Sequence, residues 1–209
     1  MPGGQLAPSG DRVEDHVERP AGLLPDSVLE PGKGVVDADI DVEEAWNFTQ
    51  GNKNVVVAVF DTGIDLNHRD LSENIWINSG EVANNEIDDD GNGYVDDIHG
   101  WNYCTDTANV GDTDNHGSHV SGTIGAVAGN KEGIVGVSPE VSIMAIKFLP
   151  GPSFLETFFC KSNYIEIARG IRYAADNGAS IMNHSWGCGV EWINAGKCKE
   201  SETLNALQL

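Results

Sequence analysis

Residues 54–61 read NVVVAVFD. Six apolar residues in a row, four of them valine, are too uniform for a strand with one wet face and fit a strand buried on both faces of a parallel sheet. The run ends on an acid, Asp61, followed by Thr62 and Gly63 as a tight turn. In an open α/β sheet, ligands collect beyond the carboxyl ends of the strands, and Asp61 falls at such an end. A carboxylate held nearly dry there needs a partner, such as an imidazole N–H. Capping its own turn is the simpler use of a strand-end aspartate, so the neighbouring segments have to decide.

Working outward, VSIMAIKFL (Val141 to Leu149) is a second buried strand and SIMNHSWG a third. Between them, YIEIARGIRYAADNG sets Tyr164, Ile167, Ala168, Ile171, Ala174 and Ala175 on one helical face, with Asn163 and Glu166 as a capping-box-like start and Gly178 as the C-cap. A further helix starts near His116, spaces Val120, Ile124 and Val127 helically, and has Gly129 placed to stop it. DIDVEEAWNFTQG carries a short helix around Ile40, Glu44, Ala45 and Phe48. Strand, helix, strand in this order implies α/β crossovers. Residues 1–36, rich in Pro, Gly and charge without an apolar period, read as a disordered leader or the remnant of a propeptide, and 37–209 as the folded domain.

Composition narrows the function. The 209 residues carry 33 acids against 12 bases, a formal charge of −21, which repels phosphate backbones and makes cations the better partners. No stretch approaches the ~18 uninterrupted apolar residues of a membrane span, and the first residues lack the basic flank and apolar core of a signal peptide. Cys104, Cys160, Cys188 and Cys198 suffice for two bridges in an oxidising compartment, and spacing alone does not give the connectivity. Cys188 and Cys198, close together in CGVEWINAGKC, are a candidate pair.

One acid-rich stretch suggests a hard cation. DDDGNGYVDD places Asp88, Asp90 and Asn92 at positions 1, 3 and 5 of a calcium-loop pattern, with Gly93 for the sharp turn, the Tyr94 carbonyl at position 7 and Asp96 at position 9. His99 stands where the bidentate glutamate belongs, so Asp97 or a distant acid has to complete the shell. A solvated turn without metal is the alternative. His116 and His119 are spaced H-x-x-H, which lacks the i, i+4 spacing and the glutamate of a zinc-protease helix, so a structural His119 is favoured over a metal pair.

Two of these blocks, VVVAVFDTGID and HGSHVSGTIGA, resemble the Asp and His blocks of the subtilisin-like serine proteases, the subtilases. GIVGVSPEVSIMAIKFL and NGASIMNHSWG match two further family blocks in the same order, so the resemblance covers roughly residues 37–209. It implies a three-layer α/β fold with a parallel central sheet, incomplete at the C-terminus, and an endopeptidase with the triad order aspartate, histidine, serine. Asp61 would orient the imidazole and His116 would act as the general base. Ser185, Trp186 and Gly187 would pair through their backbone with an extended polypeptide substrate, with Trp186 bordering a pocket rather than filling a core. Asp70 and Asn130 fall where the family builds a stabilising calcium site, and acid-rich inserts occur in many subtilases between the Asp and His blocks. The family also implies an extracellular or secretory location.

The departures carry equal weight. The nucleophile's G-T-S-[M/A]-A-x-P block and the oxyanion asparagine's A-x-G-N block are both missing from these residues. Loss of the serine from a subtilisin triad costs about 2 × 10⁶ in turnover, so this polypeptide alone is expected to be close to inert. The alternative is a catalytically inactive, calcium-binding subtilase fragment that serves as a binding module.

Overall fold

The computed structural model describes residues 40–152, 158, 160 and 164–185. Its frame is four strands, β1 (Val56–Asp61), β2 (Gly100–Asn102), β3 (Ser142–Lys147) and β4 (Ala179–His184), with three helices, α1 (Val42–Trp46), α2 (His116–Gly125) and α3 (Tyr164–Asp176). The strands lie in the order β2-β3-β1-β4, and every neighbouring pair is parallel. All six residues of β1 are buried, as an unbroken apolar run with strands on both sides requires.

Because successive side chains of a strand point to opposite faces, β1 supplies two cores. Val56, Ala58 and Phe60 join Met144, Ile146, Tyr103 and Phe148 on one face, where Ile167, Ile171, Tyr173 and Ala174 of α3 cover them. Val57 and Val59 join Ile143, Ala145, Ile64 and Leu71 on the other, against Val120 and Ile124 of α2. The result is helix, sheet, helix: the three-layer α/β arrangement expected from the sequence. Each fully buried large apolar side chain contributes about 1.5–3 kcal/mol to it.

The structure corrects several details. β2 is a strand of three residues with no alternation long enough to read; Gly100 allows it, since a Cβ there would run into the Ala145 carbonyl. α2 stops at Gly125, before Gly129, because the returning backbone takes its last carbonyls: Val137 N–H donates to Thr123 O at 3.0 Å and Ser138 N–H to Ile124 O at 2.9 Å. On α3 the inward residues include Gly170 and Tyr173, while Ala175 is exposed. Cys104 and Cys160 form a disulfide. The expected leader over 1–36 and the candidate pair Cys188–Cys198 lie outside the described residues. Among the described residues no helix is long and apolar enough to cross a membrane.

Candidate active site

Asp61, the last residue of β1, is completely buried, and His116, the first residue of α2, meets it. His116 Nδ1 lies 2.7 Å from Asp61 Oδ1, which also accepts the Thr62 N–H at 2.7 Å. Local conformation makes this approach possible. Gly63 turns the chain at φ 110°, and Asn115 takes φ 79° immediately before the helix. Gly117 has no side chain to hold α2 off the turn: a Cβ there would collide with the Gly63 carbonyl. Its N–H instead donates to Thr62 Oγ1 at 3.0 Å.

The hydrogen bond to Asp61 holds the His116 imidazole above its ordinary pKa, with the charges of Asp61, Asp114 and Asp112 adding to it against the opposing effect of burial. The acid is dry and the imidazole is not, with side-chain exposures of 1% and 48%. Such an arrangement fixes Nδ1 on the carboxylate and leaves Nε2 free to take up a proton from a group arriving from solvent. Asp61 Oδ2 is buried and accepts no hydrogen bond from the described residues. His119, one turn along α2, is exposed, and no cluster of metal-ligating side chains among the described residues includes it.

The acidic loop is drawn together differently from its spacing. The carboxylate oxygens of Glu81, Asp90 and Asp97 lie within 4.8 Å of one another. Asn78 and Asn92 amides donate to the Asp90 and Asp97 carboxylates at 2.8–3.1 Å. Asp88 accepts the Asn92 and Gly93 N–H groups at 3.1 and 2.8 Å, and Asp96 those of Asn85 and Glu86 at 3.1 Å each. Tyr94 N–H donates to Asn92 Oδ1 at 2.8 Å. Glu81 joins this loop from outside the pattern: its carboxylate accepts N–H groups from Asp89, Asp90 and Asp96. No pattern marks a residue so far upstream of its loop. Burial raises the pKa of Asp97 despite hydrogen bonds from Tyr173, Asn78 and Asn92.

Asp70 and Asn130 do come together. Asp70 is buried, and its carboxylate accepts the Asn130 amide at 2.7 Å and the Ile134 N–H at 2.9 Å. Ser185, just past β4, is exposed and accepts a hydrogen bond from the Asn183 amide at 2.8 Å; Trp186 and Gly187 lie outside the described residues.

Comparison with known families settles the kinship: the profile of the Subtilase family matches residues 52–208. The chain belongs to the subtilase family. Among curated relatives of this subtilase, Subtilisin-like protease 1 of Plasmodium berghei (strain Anka) is 43% identical over 113 residues, 54% of this chain and 19% of that protein. Subtilisin-like protease 1 of Plasmodium falciparum (isolate 3D7) is 36% identical over 137 residues, 62% of this chain and 20% of that one. Fervidolysin of Fervidobacterium pennivorans is 34% identical over 146 residues, 69% and 18% of the two chains. The crystal structure of fervidolysin, a keratinolytic enzyme related to subtilisin, aligns at 30% identity with a TM-score of 0.48, covering 71% of this chain and 20% of that one. This subtilase therefore spans about a fifth of the length of the curated relatives it matches.

Proposed function

We propose that this subtilase supplies the acid and the base of a serine endopeptidase that hydrolyses peptide bonds in extended polypeptides. The 2.7 Å contact between buried Asp61 and half-exposed His116 carries the reading. Asp61 holds the imidazole through Nδ1 and stabilises the imidazolium. Nε2 takes the proton of a serine hydroxyl as its oxygen attacks the scissile carbonyl, then returns it to the leaving amine; water later releases the acyl group by the same base. The serine, and an asparagine for the oxyanion, belong to family blocks that these 209 residues do not contain. Ser185 to Gly187 would pair with the substrate backbone as an added strand. The Cys104–Cys160 disulfide favours an oxidising, extracellular or secretory setting.

Calcium fits two places. Three carboxylates within 4.8 Å of one another, with no sulfur or imidazole among them, are the oxygen donors a hard cation takes. Glu81, Asp90 and Asp97 would hold it, with Asp88, Asn92, the Tyr94 carbonyl and Asp96 shaping the loop. Asp70 and Asn130 would hold the second ion. Bound calcium would neutralise acids that otherwise repel one another and tie down the loop.

The test joins a subtilase segment bearing the asparagine and serine blocks to this chain, in cis or in trans. Labelling by a serine-directed phosphonate should appear, and His116→Ala should abolish it. The unextended chain should not label; efficient labelling of one of its own serines would show the nucleophile misplaced. Calcium calorimetry on the same chain should show heat that weakens in Asp90→Ala. Calcium binding without phosphonate labelling of the extended protein would favour the binding-module alternative.

A further inference from the structure

The carboxylate of Asp112 stands between the two segments that deliver the acid and the base. Its Oδ1 accepts the Thr62 hydroxyl at 2.9 Å and the N–H groups of Asp114 and Asn115 at 3.0 Å each. Its Oδ2 accepts the Ser118 N–H at 2.9 Å and the Ser118 hydroxyl at 2.6 Å. Thr62 follows the acid by one residue, and Ser118 follows the base by two. Both side chains carry the connection onward: Thr62 Oγ1 accepts the Gly117 N–H at 3.0 Å, and Ser118 Oγ accepts the Asp65 N–H at 2.9 Å.

Three further hydrogen bonds, one from Asp112 itself and two to its neighbours, hold this loop in place. Its own N–H donates to Ile64 O at 3.3 Å, and Ile64 N–H donates to Val110 O at 3.0 Å. The buried Lys147 ammonium reaches Gly111 O at 2.8 Å. Burial pushes the Asp112 carboxyl up, but hydrogen bonds from Ser118, Asp114 and Thr62 outweigh it and leave the group below the usual carboxylate range. It stays an anion at the start of α2, where a negative charge is favoured.

We propose that Asp112 is a positioning residue for the Asp61–His116 pair: by gathering donors from the turn after β1 and from the first turn of α2, it fixes the distance across which the acid orients the imidazole. This rests on the acid–base reading above and adds a third side chain to it. Among the described residues the charges of Asp61, Asp114 and Asp112 all favour the protonated imidazole, so removing the Asp112 charge acts on His116 electrostatically as well as through geometry.

The experiment is NMR on the 209-residue chain, reading the His116 titration and the low-field proton of its Nδ1–H. Asp112→Asn keeps the shape of the side chain; it should lower the titration midpoint by roughly half a pH unit and weaken the low-field proton. Thr62→Val keeps the charge and removes the hydroxyl bridge, and should weaken the low-field proton with a smaller shift in midpoint. Wild-type midpoints and an unchanged low-field proton in both folded variants would overturn the proposal. If Asp112→Asn does not fold, Thr62→Val alone decides by the same readout. Asp61→Asn separates the two levels: no effect of Asp61→Asn sinks the acid–base reading itself, while a large effect beside a silent Asp112→Asn rejects only the positioning role.

Discussion

The pairing of Asp61 with His116 makes stability depend on pH, with a definite sign. The hydrogen bond to Asp61, aided by nearby charge, raises the imidazole pKa in the folded state above its ordinary 6.5. A group raised on folding contributes stability that is complete below its unfolded pKa and lost as pH climbs through the folded one. The urea midpoint should therefore fall as pH rises from about 6.5 through the folded titration of His116, and Asp61→Asn should flatten that slope. An identical slope in Asp61→Asn would refute the link. The imidazole is half exposed, so solvent screening keeps the effect small. Asp61 and His116 were legible in the sequence through the blocks VVVAVFDTGID and HGSHVSGTIGA and their resemblance to the family; the strand's carboxyl end by itself left Asp61 open to capping its own turn. Asp112 was not legible. It is one of several acids in a polar loop, and only folding brings Thr62 and Ser118 to it.

Elements show the same division. β1, β3, β4, α2 and α3 were readable because their apolar runs and helical spacing are long; the three residues of β2 carry no period, and α2's end depends on backbone arriving from residues 137 and 138. Glu81 escaped because its place among Asp90 and Asp97 is made by a fold of the loop and not by a repeat. The seating of α2 on the turn after β1 gives a sharp test. In an isolated helix Gly117→Ala would be stabilising by up to about 1 kcal/mol. Here the new Cβ would stand 3.1 Å from Asp61 Cβ and press on the Gly63 carbonyl, so a net loss of roughly 1–3 kcal/mol is expected by urea unfolding. Equal or higher stability in Gly117→Ala would mean that the helix start has room to move.

Across the whole molecule, the Cys104–Cys160 bridge joins residues 56 apart in sequence. Closing a loop of that length lowers unfolded-chain entropy enough to contribute about 4 kcal/mol in the chain-entropy model. The double variant Cys104→Ser, Cys160→Ser should show a correspondingly lower unfolding free energy, with reductant reproducing the loss in the wild type. Unchanged midpoints in both would show that the bridge constrains nothing. The alternation of β1 also has a meaning for how such a sequence can change. Val57 and Val59 face the layer that carries α2 and its histidine, whereas Ala58 and Phe60 face α3. A single strand thus feeds two separate layers through alternate side chains. Truncation at an odd position, Val59→Ala, should disturb the seat of α2 and so the NMR titration of His116, whereas truncation at an even one, Phe60→Ala, should lower the urea midpoint with a smaller change at that imidazole; equal effects of both on His116 would show that the two faces are not separate.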